Sequence, residues 1–500
     1  MRGAKILVAA VIAVVALIVI LSVFSRRQNV RDGNEPLLVY CAAGVKQPVS
    51  ELIEKFSKEY GFAVQLQYGG SGTLLSNLEV SRKGDLFIAA DRSYADIAKE
   101  KKLIEETLPI ALMRPVIAVA KGNPKGINDI AALTRNDLRI ALGNPESASI
   151  GKLTKKLLAK AGSWESVKQN VEKNGVFKPT VPDVANDVII GAADASVVWD
   201  ATVAQSPELE AVRVPEFDAA VQEVTVCVLA SCKQPVNALR LARWLNSNIG
   251  NEQFKKHGFE TVQGDEWAWH PEITFYCGAV NQRSVDDVIK AFAEREGITI
   301  NTIYNGCGIL TGQMRTIRQD RSGTGFPDVY MACDRYYLDN VKDWFQEDVD
   351  ISDTEIVIAV SRGNPKNIKT VEDLAQSGMR VSVGQPEQCT IGALSKLLLE
   401  ECGLYAPVMS NVVMQTASSA MLVPSVITRS VDATLAYITD TKAEAGKIDI
   451  IPIPVARAKA IQPFSIAKSS RYKYLGRRLF AKLAASGEQF EKAGFHFRLD

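Results

Sequence analysis

The segment LLVYCAAGVKQPVSELIEKFSKEYG, beginning at Leu37, returns as ITFYCGAVNQRSVDDVIKAFAEREG, beginning at Ile273. Five further pairs follow in the same order: YGGSGTLLSNL with YNGCGILTGQM, DLFIAAD with DVYMACD, VAKGNPKGI with VSRGNPKNI, LGNPESASIGKLTKKLL with VGQPEQCTIGALSKLLL, and EQFKKHGF with EQFEKAGF. Six collinear matches at a nearly constant offset do not arise by chance, so one unit of about 230 residues is written twice. The copies span residues 36–265 and 272–500 and account for nearly all of the chain after residue 34.

Of 500 residues, 47% are hydrophobic and 23% charged, the balance of a folded globular chain. Lysine and arginine total 58 against 57 acidic residues. There is thus no overall basic field to collect nucleic acid by counterion release, and no nucleic-acid partner is expected. Three histidines, His257, His270 and His496, leave little material for a histidine metal site or a hydrolytic triad. Neither enzymatic activity nor a metal or cofactor is expected.

Residues 6–24, ILVAAVIAVVALIVILSVF, form an apolar run long enough to cross a bilayer core as a helix. Arg2 and Lys5 precede it and Arg26, Arg27 and Arg31 follow, so flanking charge gives no orientation. No A-x-A cleavage pattern and no lipoprotein cysteine follows the run. That favours an uncleaved signal anchor over a removed signal peptide, with cleavage after Ser25 as the alternative. Residues 1–34 are expected to be a single-pass membrane anchor and linker.

Each copy alternates short β-rich runs with helical patterns. In the first, the strand LLVY precedes a segment with Val49, Leu52, Ile53, Phe56 and Tyr60 at helical spacing, ended by Gly61. The second repeats this with Val285, Val288, Ile289 and Phe292, then Gly297. A strand, a glycine turn, a helix and another strand follow, the rhythm of a mainly parallel sheet. A second α/β series starts near residue 112, and after about residue 210 the chain returns to complete the first. The expected fold class is α/β, each copy having two lobes around a cleft.

Three loops in each copy follow a strand and open a helix. In copy one these are Cys41-Ala42-Ala43-Gly44, Gly69-Gly70-Ser71-Gly72, and Gly143-Asn144-Pro145 running to Ser149-Ile150-Gly151. Backbone N–H groups at a helix start are unpaired and lie at the positive end of the dipole, and glycine admits an anion closely. Such ends converging on one cleft hold a tetrahedral oxyanion without a charged side chain. Any one of these loops, taken alone, is equally a β–α turn that needs glycine.

The segments VYCAAG, YGGSGTL, DLFIAAD, KGNP, LGNPESASIGK and DASVVW resemble the periplasmic molybdate-binding proteins of ABC transporters, class II solute-binding proteins with a two-lobed hinged fold. The resemblance covers both copies. It implies capture of a molybdate- or tungstate-like dianion by hydroxyls and backbone N–H groups, lobe closure, and an ABC permease as partner. It also implies soluble domains in the periplasm or outside the cell, held at the cytoplasmic membrane by the N-terminal run.

Carried over position by position, the family's second-loop serine falls on Ser71 and, in copy two, on Cys307. Its first-loop serine falls on Gly44 and Val280, so both copies lack that hydroxyl. The third-loop backbone donor falls near Ile150 and Ile391, and the donor at the next helix start falls near Val181 and Ser419. The ligand tyrosine falls on Trp199, whose indole N–H still donates, and on Tyr437. Neither copy has the full set, which keeps open a second reading as a ligand sensor or docking protein with degenerate clefts.

Asp91 and Asp334 are read as helix caps, and Asp85 and Asp328 as caps or turn residues, because an anion cleft does not suit a bare carboxylate. Lys46, Arg92 and Arg335 lie beside the cleft loops and are read as solvated surface. Cys41 sits in a copy-one loop, while Cys277, Cys307, Cys333 and Cys389 occupy or adjoin the loops of copy two. Four thiols near one cleft suit a soft metal, a disulfide, a thiophilic oxyanion, or simple small-residue packing. Cys227 and Cys232 have opposite parity on an expected strand, which argues against a bridge between them. GNPESASIGKLT fails the spacing of a phosphate-binding P-loop.

Overall fold

The structure, a computed structural model, describes residues 35–319, 325–442 and 444–499. The chain divides into two units, one ending at Gly264 and the next starting at Asp265. The apolar run 6–24, on which a membrane anchor is expected, lies outside the described residues. Among those described, no helix is long and apolar enough to cross a membrane.

Unit one opens with β1 (Leu37–Ala42), α1 (Lys46–Tyr60), β2 (Val64–Gly69), α2 (Ser71–Ser81) and β3 (Leu86–Ala89). β1 pairs in parallel with β2 and β3. α1 forms where the helical spacing places it, and its Val49, Leu52, Ile53 and Phe56 are buried. Each such side chain contributes roughly 1.5–3 kcal/mol on leaving water. Gly61, at φ 73°, takes the left-handed conformation that ends the helix.

β4 (Ile104–Met113) is separated only by Arg114 from β5 (Pro115–Ala120), which lies in a different sheet. That second sheet has the order β7–β6–β8–β5–β9, with β6 (Ile140–Gly143), β7 (Val176–Lys178), β8 (Ala195–Trp199) and β9 (Leu209–Val212). In this lobe α3 (Ser149–Lys160) follows β6, and α4 (Val181–Ile189) follows β7. The chain then returns to β10 (Gln222–Leu229), which lies between β3 and β4 and runs antiparallel to both. The lobes are therefore joined by two crossings, Arg114 and residues 213–221. The antiparallel return strand is a departure from the mainly parallel sheet that the βα rhythm suggests, since a strand entering from the other lobe comes in from the opposite end.

Unit two repeats the plan with β11 (Glu272–Gly278), α5 (Gln282–Glu296), β12 (Thr299–Asn305), α6 (Cys307–Gln319) and β13 (Val329–Met331). Its crossing strand β14 (Phe345–Ser361) is unbroken. The remaining elements are β15 (Val381–Gly384), α7 (Thr390–Glu401), β16 (Val412–Thr416), β17 (Ala433–Tyr437), β18 (Ile448–Pro452) and β19 (Lys459–Ala467). β14 pairs with β19 through Glu355 and with β17 from Ile356 onward, so one strand runs through both lobes. α5 buries Val285, Val288, Ile289 and Phe292 and ends at Gly297, φ 64°.

Candidate functional site

The carboxyl ends of the unit-one strands meet at one small cavity, the position where open α/β sheets bind ligands. Gly44, Ser71, Ile150, Val181 and Trp199, separated by up to 155 positions in sequence, all line it. Three helices start there: α2 at Ser71, α3 at Ser149 and α4 at Val181. Neither α2 nor α3 has a side-chain cap, so apart from the Gly72 N–H, which bonds to Ser147 O, their first N–H groups have no side-chain acceptor.

Ser71 is buried, and its Oγ accepts the backbone N–H of Ala90 at 3.2 Å. The hydroxyl proton is then directed elsewhere and can donate. Trp199, at the end of β8, is 1% exposed, and its indole N–H has no hydrogen-bond partner. An orphaned buried donor is costly, and in a binding cleft it marks where an acceptor belongs. No charged side chain lines the cavity.

The space is small, a cavity of about 10 Å³. That is far below the roughly 300 Å³ and upward of organic-ligand pockets and leaves room for no more than a small ion or a water. The lobes are pressed together around it. Gly72 N–H donates across the cleft to Ser147 O at 3.0 Å, and a β-carbon on Gly70 would lie 2.3 Å from that oxygen.

Ser149 also lines the cavity and brings a hydroxyl that carry-over from the family pattern did not select. Its signal was its place as the first residue of a glycine-flanked helix. Thr180 lines the cavity too, but its hydroxyl caps α4 and bonds to Asp183. Cys41 does not line it: the side chain points into the core, with Sγ 3.5 Å from Ala42 O. Burial pushes its thiol far up.

The acids beside the loops are structural. Asp91 accepts the N–H of Ser93 at 2.7 Å, and Asp334 accepts those of Tyr336 and Ile461, both at 2.8 Å. Asp85 and Asp328 instead tie strand starts together, accepting the N–H groups of Leu38 and Thr274 at 2.9 Å. The cations are engaged on the surface: Arg92 with Glu223, Arg335 with Asp348 and Asp350, and Lys46 over the Tyr68 ring.

In unit two the Cys333 N–H donates to Cys307 Sγ at 3.0 Å, repeating the bond from Ala90 to Ser71. Ile391 is fully buried in α7. Tyr437, at the end of β17, is 1% exposed with an unpartnered hydroxyl, and burial holds that phenol well above its ordinary pKa, hence neutral. Val280 and Ser419 line a different cavity of about 220 Å³, with Arg283 and Asp440, whose lining includes neither Cys307 nor Tyr437. Val280 and Ser419 thus share a cavity, while Tyr437 lies beside Cys307, Cys333 and Cys389. Cys232 lies beyond the end of β10 rather than on it. Among the described residues no group of three or more His, Cys, Asp or Glu side chains is placed to hold a metal, so a soft-metal site in unit two has no ligand set there.

The sequence profile of a family described as bacterial extracellular solute-binding protein matches residues 37–260 and again 273–496. A Haemophilus influenzae protein named only as a binding protein is 30% identical over 223 residues, 45% of this chain and 90% of its own length. The molybdate-binding protein ModA of Mycobacterium bovis is 28% identical over 232 residues, 46% of this chain and 85% of that one. The solved periplasmic molybdate-binding protein of Azotobacter vinelandii, at 19% identity, covers 45% of this chain and 100% of itself with a TM-score of 0.40. With each profile match spanning one of the two units, the chain belongs to the bacterial extracellular solute-binding proteins and carries that family's unit twice in tandem.

Proposed function

We propose that unit one is a receptor for a fully deprotonated tetrahedral dianion of the molybdate or tungstate kind. The chain would then act as the capture component of an ABC-type importer. The observation that carries this reading is the unpartnered indole N–H of Trp199, which lines a small cavity with no charged side chain. Ser71, Ser149 and the uncapped starts of α2 and α3 supply the other donors. Neutral dipoles held in a closed, water-poor cleft stabilise a dianion without a counter-charge, because they are already oriented and their field is little screened.

The lining also sets a preference. Phosphate near neutral pH carries a proton that needs an acceptor, and no carboxylate lines the cavity. Molybdate, tungstate and sulfate carry none, so phosphate is disfavoured by the desolvation of an unmatched group. The relatives named as molybdate-binding support the heavier oxyanions. An anchor formed by residues 6–24 would keep the receptor beside a permease and raise the local concentration of sites.

Unit two supports a second reading, because Val280 and Cys307 replace two of the family's hydroxyl positions. It serves as a closed partner module rather than as an equal anion receptor. Thermal unfolding of the full chain with molybdate, tungstate, sulfate and phosphate tests both readings. A ligand at 100 times its Kd stabilises by about 2.7 kcal/mol. Molybdate and tungstate are expected to raise one transition, with phosphate inert. If no anion moves any transition, the receptor reading fails.

A further inference from the structure

Comparing the two units position by position exposes three linked differences at one point of the cleft. Ala42, Ser71 and Ala90 of unit one correspond to Gly278, Cys307 and Cys333 of unit two. In the fold these three residues touch. The Cys307 and Cys333 sulfurs are 2.8 Å apart, and a β-carbon on Gly278 would lie 2.3 Å from Cys333 Sγ and 2.8 Å from Cys307 Sγ. The alanine of unit one could not coexist with this thiol pair. The glycine makes the room that the two sulfurs occupy.

We infer that Cys307 and Cys333 form a reversible disulfide, making the unit-two cleft a thiol–disulfide site that unit one lacks. The neighbouring cysteines are engaged otherwise: Cys277 Sγ is turned to Gly278 O and Cys389 Sγ to Thr416 O. The pair is chemically asymmetric. Cys307 is the first residue of α6 and its Sγ accepts the Cys333 backbone N–H at 3.0 Å; burial pushes its thiol up, but its hydrogen bonds with Cys333 outweigh that and lower it. The hydrogen bond with Cys307, together with burial, pushes the Cys333 thiol well above the ordinary range.

The oxidant is a disulfide, R–S–S–R, of a small thiol or of another protein. Both sulfurs are buried while the lobes are closed, so exchange takes place when they part. The Cys307 thiolate attacks one sulfur of R–S–S–R and expels RS⁻, which takes up the proton Cys307 had released. Cys333 then loses its proton, and its sulfur attacks Cys307 Sγ in the mixed disulfide, expelling the second RS⁻ as RSH. Two cysteine thiols are oxidised by two electrons, and R–S–S–R is reduced to two RSH.

The test is to equilibrate the full chain across a series of oxidised-to-reduced glutathione ratios, quench with acid, alkylate under denaturing conditions and map peptides by mass spectrometry. The expected result is a Cys307–Cys333 cross-linked peptide pair that rises with oxidant and disappears on reduction, while Cys41 and Cys227 stay alkylatable. Gly278→Ala, which puts the β-carbon back, is expected to require at least tenfold more oxidising conditions for the same yield. Free thiols at both positions at every ratio, or glutathione on Cys307 with no bond to Cys333, would overturn the proposal. So would a cross-link whose yield Gly278→Ala leaves unchanged.

Discussion

Gly44 and Trp199 are fitted to each other: a β-carbon at position 44 would lie 3.5 Å from the indole Cδ1 and 3.6 Å from Nε1. The β-carbon itself would make ordinary van der Waals contact with the ring, and any atom beyond it would compete with the ring for space. The indole N–H reaches into the space that a side chain at 44 would otherwise fill. In unit two the pair is Val280 and Tyr437, a larger first residue with a smaller ring.

Gly44→Val should therefore damage the unit-one site. Beyond contact with Trp199, its β-carbon would lie 2.9 Å from Val181 Cγ1, and overpacking of this kind costs about 1–3 kcal/mol. The expected outcome is a lower unfolding temperature and weaker anion binding. Adding Trp199→Tyr should recover part of the stability, measured by thermal unfolding of the single and double variants.

Trp199→Phe separates stability from binding. The substitution removes a buried N–H that has no partner in the free protein, so unliganded stability should hold nearly constant, with lost packing set against a relieved desolvation penalty. Oxyanion affinity should fall by about 1–3 kcal/mol, roughly 5- to 150-fold. Competition binding with labelled molybdate checks it, and an unchanged Kd would remove Trp199 from the site.

Acid stability of unit two should depend on Asp353. This carboxylate is 2% exposed and meets Lys459 Nζ at 3.2 Å, Arg498 Nη1 at 2.8 Å and His496 Nδ1 at 3.3 Å. Burial raises its pKa, but the hydrogen bonds with Lys459, His496 and Arg498 and the charge of Lys459 outweigh that and hold the carboxyl below its ordinary range. A depressed folded pKa stabilises at pH above the unfolded value of about 3.9, and that stability is lost as pH falls from there through the folded value. Asp353→Asn should flatten this acid limb and cost about 1–3 kcal/mol at pH 7, a range that allows for the half-exposed partners. Denaturant unfolding at a series of pH values measures both effects.

The duplication, the βα rhythm of each unit and the three cleft loops were legible because they are local: Val49, Leu52, Ile53 and Phe56 lie on one helical face, and Gly61 ends that helix. The antiparallel return strand β10 was not, since its partners lie more than a hundred residues earlier. Nor could sequence alone show that Cys41 points to the core while its neighbour Ala42 faces the cavity, a matter of strand register. Cysteine enrichment near the unit-two loops was visible. The pairing of Cys307 with Cys333 was not, because it depends on the space above Gly278.

Ser71 offers the most direct test of the receptor claim, through titration calorimetry of the full chain and its Ser71→Ala variant with molybdate and tungstate. The account expects saturable binding of one anion per chain, weakened by about 1–3 kcal/mol in the variant by loss of a buried donor. No heat of binding for either anion, or an affinity that Ser71→Ala leaves unchanged, would contradict it.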